Sequence, residues 1–380
     1  QWATLCMSPY VFYYMLRAQF SGQSDASYLV AGVLLLMTGG VHDIIVSMGY
    51  LNSPHLGRYI FVVFVVGVAL LLARRFQRAQ NEVVELNSKL ERRVQERTRQ
   101  LSASLEKAEQ LKRKQDGDYF LTSLLLKPLG GRLHESSTVD VQILQQQHKM
   151  FEFNGRRHEL GGDFSLAYGV RLQRRDYTFF LNADAMGKSM QGAGGALVLG
   201  AVLRAILRRV AILKVAPERW LREVFEALHA VFLTFDCSML ISLIMGVVDE
   251  ETGDMYWINA EHPLPVLYRD GRAVFLGGRL EHRKAGVPGA DAEVEVQYAG
   301  LKQNDVILFG SDGRDDLQLG INGEGQRVIS EDERAFLHRV EESQGLLPDL
   351  YASLLRYGSP TDDISIVRIA FKEDFPVRAE

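Results

Sequence analysis

Two patterns of apolar residues divide this chain. In residues 1–73 apolar side chains run almost without interruption, in long stretches at Tyr28–Tyr50 and Tyr59–Ala73 and a shorter one at Leu5–Leu16. Stretches with so few charges are rare in soluble domains, so they predict transmembrane helices. The basic pair Arg74-Arg75 follows the last stretch and favours the cytoplasmic side for what comes next. A buried helical hairpin in a soluble domain is the alternative interpretation.

The segment 74–115 has a different pattern. It is dense in charged residues and glutamine and contains no glycine or proline. Apolar or small residues recur in it at steps of three or four, which predicts a coiled-coil seam with one stutter near Leu90–Thr98. We therefore expect a parallel homodimer through residues 83–108, the alternative being a solvated single helix. The seam positions are Val83, Leu86, Leu90, Val94, Thr98, Leu101, Leu105 and Ala108.

After residue 148 the periodicity changes to short, strand-like apolar runs. Two helices are predicted between them, at Gln191–Leu213 and Pro217–Leu233. Many short strands with helices grouped between them indicate an α+β layered fold and not a βαβ repeat. The predicted strands are Lys149–Phe153, Phe164–Leu172, Tyr177–Leu181, Met239–Val248, Met255–Asn259, Pro265–Tyr268, Ala273–Leu276, Val294–Gln297, Val306–Phe309 and Ile364–Ile369.

Composition narrows the possible functions. The chain has 380 residues and a formal net charge of −4, so it carries no overall electrostatic footprint for nucleic acid. Its two cysteines, Cys6 and Cys237, exclude a disulfide framework and a four-cysteine metal site. This cysteine usage fits a reducing cytosol for the C-terminal part.

Four acidic motifs follow one another at the ends of predicted strands. Crowded carboxylates are costly unless a cation neutralises them, so their convergence would form an all-oxygen site suited to Mg²⁺ or Mn²⁺. A lone Asp-Gly is more often a turn, but four such motifs favour a site. The motifs are Gly161-Gly162-Asp163-Phe164, Asp184-Ala-Met-Gly187, Ser311-Asp312-Gly313 and Thr361-Asp362-Asp363-Ile364-Ser365.

The order and spacing of these motifs resemble the SpoIIE/RsbU-type branch of the PPM (PP2C-like) metal-dependent serine/threonine phosphatases. The resemblance covers roughly residues 116–371 and includes Asn259-Ala-Glu-His-Pro263 in place of the family's Ala-Gly-His-Pro turn. It implies a sandwich of two antiparallel β-sheets flanked by helices. It also implies hydrolysis by a water activated between two divalent cations, Mn²⁺ or Mg²⁺.

The resemblance also implies a set of metal ligands. Asp163 and Asp184 would be catalytic, with Asp184 bridging both cations. Asp363 would add a contact or anchor its loop, so the choice between it and Asp362 stays open by one position. The implied ligands are Asp163, Asp184, the backbone carbonyl of Ala185, Asp312, Asp362 and Asp363.

One departure from the family lies beside Asp184. Members commonly carry Gly-His-Gly there, whereas this chain has Gly187-Lys188-Ser189. Lys188 is therefore a candidate catalytic residue and, with Gly187, a candidate for binding the substrate phosphate, or it competes electrostatically with the cations. For His262, positioning of water and a structural hydrogen-bonding role are the two interpretations.

These inferences predict four segments: transmembrane helices in 1–73, a coiled-coil linker in 74–115, a phosphatase domain in 116–371 and a tail in 372–380. The first resembles the end of seven-helix bacterial sensor modules, so we expect an excised part of a longer protein. The expected location is the inner (cytoplasmic) membrane, with the phosphatase domain in the cytoplasm. The expected partner is a phosphorylated protein, by resemblance an anti-sigma-factor antagonist.

Three other functions are considered. A diguanylate cyclase would need a further acid after Asp163, where Phe164 stands, and a histidine kinase would need a glycine-rich ATP lid. A catalytically silent module that binds a phosphoprotein in the same pocket is the serious alternative.

Overall fold

The computed structural model describes residues 24–209, 215–277, 282–289, 294–323, 325–330, 332 and 334–372. Its contacts separate two units, residues 1–108 and 109–380. The predicted apolar helix at Leu5–Leu16 lies outside the described residues.

The described part of the chain begins with two helices. Helix α1 spans Ser24–Ser47, and helix α2 spans Gly57–Leu126 as one continuous helix of 70 residues. The Asp43 carboxylate accepts the backbone N–H groups of Leu56 at 2.7 Å and Gly57 at 2.9 Å. It thereby satisfies two donors at the start of α2 that have no partner inside the helix.

Both helices are long and apolar enough to cross a membrane, α1 over Tyr28–Ser47. Helix α3, at Met190–Arg209, meets the same length and composition criterion. Its Leu199 and Leu203 are fully buried in the core of the second unit, so α3 belongs to the folded domain. The apolar helices near the start of the chain support association with a membrane.

The second unit alternates short strands with grouped helices. Its helices beyond α3 are α4 (Pro217–Leu233), α5 (Arg334–Glu342), α6 (Leu347–Tyr357) and a 3₁₀ helix at Asp312–Arg314. Its strands are β1 (Gly131–Arg132), β2 (Val139–Gln146), β3 (Lys149–Phe153), β4 (Arg156–Leu160), β5 (Asp163–Leu172), β6 (Arg175–Ala185), β7 (Ile241–Asp249), β8 (Asp254–Ala260), β9 (Val266–Arg269), β10 (Arg272–Phe275), β11 (Gln297–Gly300), β12 (Val306–Gly310), β13 (Leu317–Ile321), β14 (Arg327–Ile329), β15 (Ser359–Pro360) and β16 (Ile364–Phe371).

Two large sheets form the centre of this unit. One has the strand order β1-β5-β6-β7-β8-β11 and the other β10-β9-β12-β16-β2. Neighbouring strands in both are antiparallel, apart from the short parallel pair β1 and β5. Antiparallel strands alternate their side chains between two faces, so each sheet can contribute to two cores.

Three hydrophobic clusters define the layers. The middle cluster joins the inner faces of the two sheets, for example Phe180 of β6 against Phe309 of β12. A second packs α3 and α4 on the outer face of the six-stranded sheet, and a third packs α5 and α6 on the outer face of the other sheet. The unit is therefore a sandwich of two antiparallel sheets flanked by helices, as predicted.

Most predicted strands occur within two residues of their expected bounds, and α4 matches its prediction. The predicted strand Val294–Gln297 is wrong in its position, because pairing with β8 begins only at Gln297. The predicted linker boundaries at residues 73 and 115 both fall inside α2, where the helix continues without a break. The end of the helix predicted to reach Leu213 lies outside the described residues.

Candidate functional site

Asp163 and Asp184 lie side by side at one end of the six-stranded sheet. Asp163 opens β5, Asp184 is next to last in β6, and the two are register partners. Directly opposed residues of an antiparallel pair project to the same face, about 5 Å apart. Because their neighbours Phe164 and Ala185 face the helices, both carboxyl groups face the second sheet.

Two glycines before Asp163 permit the close approach of backbone at this corner. A Cβ on Gly162 would lie 2.5 Å from the carbonyl oxygen of Ala185 and 3.2 Å from Oδ1 of Asp184. A Cβ on Gly161 would collide with the Asp363 carboxylate. The glycine pair therefore lets the Ala185 carbonyl and two carboxylates gather against one stretch of backbone.

Asp163 is buried at the end of the inter-sheet core. Burial, and then the charge of Asp184, raise the pKa of Asp163 well above its usual value. The Ser311 hydroxyl opposes this shift by donating a 2.6 Å hydrogen bond to Oδ2 of Asp163. The two carboxyl groups therefore repel each other when both are ionised, as like charges at one site do.

Asp184 connects this pair to the remaining acids. Burial raises its pKa to about 7, with further contributions from Asp312, Asp362 and Asp363, while Lys284 lowers it. These residues come from four separate parts of the sequence. Acids that are remote in the sequence therefore share one electrostatic environment around Asp184.

Asp312 begins the 3₁₀ helix directly after β12. Desolvation and the charges of Asp316 and Asp362 raise its pKa. The pKa of Asp316 is also raised, by burial and by Asp362. Sequence analysis missed Asp316, although its position four residues after Asp312 would place both on one side of a helical turn.

The adjacent residues Asp362 and Asp363 have different partners. Asp363 accepts the backbone N–H of His148 at 2.7 Å through Oδ1 and that of Gly162 at 2.8 Å through Oδ2. Asp362 is exposed, and its Oδ1 accepts the N–H of Asp363 at 2.9 Å. Asp363 therefore anchors its loop to the start of β5, while Asp362 is the more available carboxylate.

His262 is buried in a hydrogen-bonded network beneath the acids. Its Nε2 lies 2.7 Å from Oδ1 of Asn182, and its Nδ1 lies 3.2 Å from the Ser242 hydroxyl. Since the Asn182 amide nitrogen donates to Ser165 and Ser365, its Oδ1 must accept from Nε2–H. Burial lowers the pKa of His262 to about 3, so the ring is neutral near pH 7. Both ring nitrogens have partners, which favours the structural interpretation of its role.

Glu261 precedes His262 in a left-handed backbone conformation, with φ of 52°. Glycine adopts this conformation without the strain that a Cβ introduces. In the Ala-Gly-His-Pro turn that this segment resembles, glycine occupies the position of Glu261.

Gly187 and Lys188 lie on the exposed loop after β6. Gly187 has φ of 114°, and a Cβ there would meet the Gln191 side chain at 2.7 Å. The conformation of this loop therefore depends on glycine, and Lys188 projects from its surface.

The residues at this corner fit divalent cations by their chemistry. All donors are oxygens, and repulsion among the carboxylates is the feature that bound cations would relieve. Within the described ranges, no three His, Cys, Asp or Glu side chains are already gathered as ligands of one ion. The acids lie at the same corner of the fold, but their carboxylates do not converge on a single position.

A protein-family model matches the C-terminal half of the chain. The model for stage II sporulation protein E (SpoIIE) matches residues 174–372, slightly more than half of the chain. The chain belongs to the SpoIIE family. Its domain is thus of the PPM protein serine/threonine phosphatase type, and the resemblance predicted from the motifs is confirmed. The SpoIIE match includes Asp184, Asp312, Asp362 and Asp363 and begins after Asp163.

Three solved structures with similar folds have low sequence identity to this SpoIIE-family chain. The RsbU and RsbW domains of Rv1364c from Mycobacterium tuberculosis are 19% identical, with 63% of this chain and 61% of that chain covered and a TM-score of 0.49. The PP2C domain with a regulatory fragment of SpoIIE from Bacillus subtilis gives 15% identity, coverage of 63% of each chain and a TM-score of 0.45. The SiaA PP2C domain of Pseudomonas aeruginosa is 19% identical, with 61% of this chain and 85% of that chain covered and a TM-score of 0.45.

The chain spans less than two thirds of the length of the first two structures. A search of curated proteins found no match.

Proposed function

We propose that this chain is a membrane-tethered, cation-dependent phosphatase that hydrolyses phosphoserine or phosphothreonine on a signalling protein. The observation that carries the proposal is the register pairing of Asp163 with Asp184. In a chain of the SpoIIE family, two carboxyl groups facing each other at a shared corner are best explained as ligands of divalent cations.

In this proposal Asp163, Asp184 and the Ala185 carbonyl would hold one cation, and Asp312 and Asp362, together with Asp184, would hold a second. Mn²⁺ and Mg²⁺ both suit such oxygen ligands. Two such cations would lower the pKa of a shared water and neutralise phosphoryl oxygens during in-line attack.

The protein's own residues prepare the site. Ser311 fixes the orientation of Asp163 through its 2.6 Å hydrogen bond. Asp363 fixes the backbone of Gly162 and so the distance between β5 and the loop carrying Asp362. Positioning residues of this kind hold ligands in place before the substrate arrives, which lowers the cost of reorganisation.

The proposed setting combines membrane, dimer and partner. Helix α1 and the apolar start of α2 support tethering to the inner membrane, and Arg74-Arg75 support a cytoplasmic phosphatase domain. The exposed seam in α2 supports a parallel homodimer through residues 83–108. The motif resemblance supports a phosphorylated anti-sigma-factor antagonist as the substrate.

Replacement of Asp184 by Asn tests the hydrolase proposal. We expect Mn²⁺-dependent phosphate release from a phosphoserine peptide to fall more than about a hundredfold, because a bridging ligand is lost. Asp176→Asn is the matched control, since Asp176 is exposed at the opposite end of β6 and pairs with Arg171. Unchanged turnover in the Asp184 variant would refute the ligand assignment.

The second candidate function is phosphoprotein binding without hydrolysis. The sequence Gly187-Lys188-Ser189 favours it, because it replaces the family's Gly-His-Gly beside Asp184. Calorimetry separates the two functions. A silent module would bind the phosphorylated partner equally well with and without Mn²⁺, whereas the hydrolase requires the cation.

A further inference from the structure

Lys284 lies in the same cross-strand row as the two paired aspartates. Ile241 of β7 is the register partner of Ala185 and also forms an isolated antiparallel bridge with Ala285. Two backbone hydrogen bonds of 3.1 Å and 2.9 Å between Ile241 and Ala285 fix this bridge. The segment around Ala285 therefore extends the sheet beyond β7 at the acidic corner.

This bridge determines the face to which Lys284 belongs. Ala185, Ile241 and Ala285 are all fully buried in the cluster under the helices. Side chains alternate along an extended segment, so the residues that precede or follow these three project to the inner face. On that face the row is Asp163, Asp184, Ser242 and Lys284.

The ammonium group of Lys284 acts on the acids from this position. It is near enough to Asp184 and Asp312 to interact electrostatically with both carboxylates. It also contributes to the lowered pKa of His262, after burial and Arg314. Lys284 thus lies close enough to three groups of the site to affect their ionisation.

Lys284 is available for a ligand. It is partly buried, and its backbone N–H donates to Oε2 of Glu261 at 3.3 Å. Across the described residues, no carboxylate lies within 4 Å of its ammonium group. A partly desolvated cation without an ion-pair partner is well suited to bind an anion.

We propose that Lys284, and not Lys188, binds the phosphoryl oxygens of the substrate. The assignment rests on the proposed phosphatase function and adds its substrate-binding cation. Lys284 belongs to the sheet row that contains Asp184, whereas Lys188 projects from an exposed loop. A group on a paired segment is held in place, while a loop lysine must be ordered by its ligand at an entropic cost.

The test measures the affinity of the 380-residue chain in detergent for inorganic phosphate, by calorimetry at saturating Mn²⁺. Lys284→Met keeps the apolar stem and removes the charge, Lys284→Arg keeps the charge, and Lys188→Met is the matched control. We expect about tenfold weaker phosphate binding in Lys284→Met, corresponding to one charge-assisted hydrogen bond, and little change in the other two variants. The KM for a phosphopeptide should rise in parallel.

Mn²⁺ affinity gives the second readout. Removal of a positive charge beside the acids should leave Mn²⁺ binding unchanged or tighter, whereas a misfolded site would bind Mn²⁺ more weakly. Phosphate affinity that is unaffected in Lys284→Met, or lost equally in Lys188→Met, overturns the assignment. If phosphate binding depends on Lys284 but the wild-type chain shows no Mn²⁺-dependent turnover, the hydrolase proposal fails and the anion-binding role of Lys284 stands.

Discussion

The acids of the candidate site lie next to a hydrogen-bonded network of neutral polar residues centred on Asn182. Asn182 lies two residues before Asp184 on the same face of β6, and its side-chain amide contacts two serine hydroxyls and His262. Buried polar groups cost little when every donor and acceptor has a partner. The unfavourable groups at this corner are the carboxylates, whose pKa values are raised by burial and by one another, and the buried Oε1 of Gln147, which has no hydrogen-bond partner among the described residues.

His262 provides a prediction at this scale about stability and pH. Burial, then the charges of Arg314 and Lys284, lower its pKa to about 3 from 6.5. The unfolded chain takes up the proton at higher pH than the folded chain does. The contribution of neutral His262 is thus fully present above about pH 6.5 and is lost as the pH falls toward 3.

The measurement compares the wild-type chain with His262→Gln. Urea unfolding followed by the fluorescence of buried Trp220 and Trp257 gives both free energies of unfolding. The advantage of the wild type should shrink by about 2–3 kcal/mol between pH 7.5 and pH 4.5. An advantage that stays constant over this range would show that His262 does not titrate as its burial requires.

At the scale of the secondary-structure elements, aromatic packing joins the two sheets. Phe180 and Phe309 are fully buried, and their rings stack 4.5 Å apart between β6 and β12. Removing one ring leaves a cavity that two sheets cannot close without shifting. This contact lies two residues from Ser311, so the same packing positions the site.

Phe309→Ala should therefore lower the free energy of unfolding by about 3–5 kcal/mol, and Phe309→Leu by clearly less. Val274→Ala on β10 is a suitable control, because Val274 is half exposed and its loss should cost under about 1 kcal/mol. Chemical denaturation of the three variants measures the order. Equal destabilisation by the phenylalanine and valine truncations would contradict the inter-sheet position of Phe309.

The sequence predicted elements where one face of a strand is plainly apolar, and failed where it is not. Strand β2 was missed because it carries three glutamines, of which Gln145 donates to the Asp163 carbonyl. Helices α5 and α6 are short and carry polar residues between their core positions, so their signal was weak. Motif spacing identified the acids, but Lys284 joins them only through a single bridge to β7, which no local pattern encodes.

At the scale of the whole molecule, one helix runs from the apolar segment into the phosphatase unit. Helix α2 contains the predicted membrane stretch, the charged linker and, at its end, the buried residues Tyr119 and Leu126. The valine and leucine side chains of the seam from Val83 to Leu105 are more than half exposed, as expected of a surface that a second copy would cover.

Cysteine cross-linking of the 380-residue chain in membranes tests the proposed parallel dimer. In a background with Cys6 and Cys237 replaced by Ser, Leu90→Cys should form a disulfide with its own copy. This is expected because equivalent seam positions face each other in a parallel coiled coil, within the Cβ separation that a disulfide requires. Gln95→Cys is the control, since it lies on the same charged segment but outside the seam. Cross-linking at both positions to the same extent, or at neither, would contradict a parallel seam and return α2 to a solvated single helix.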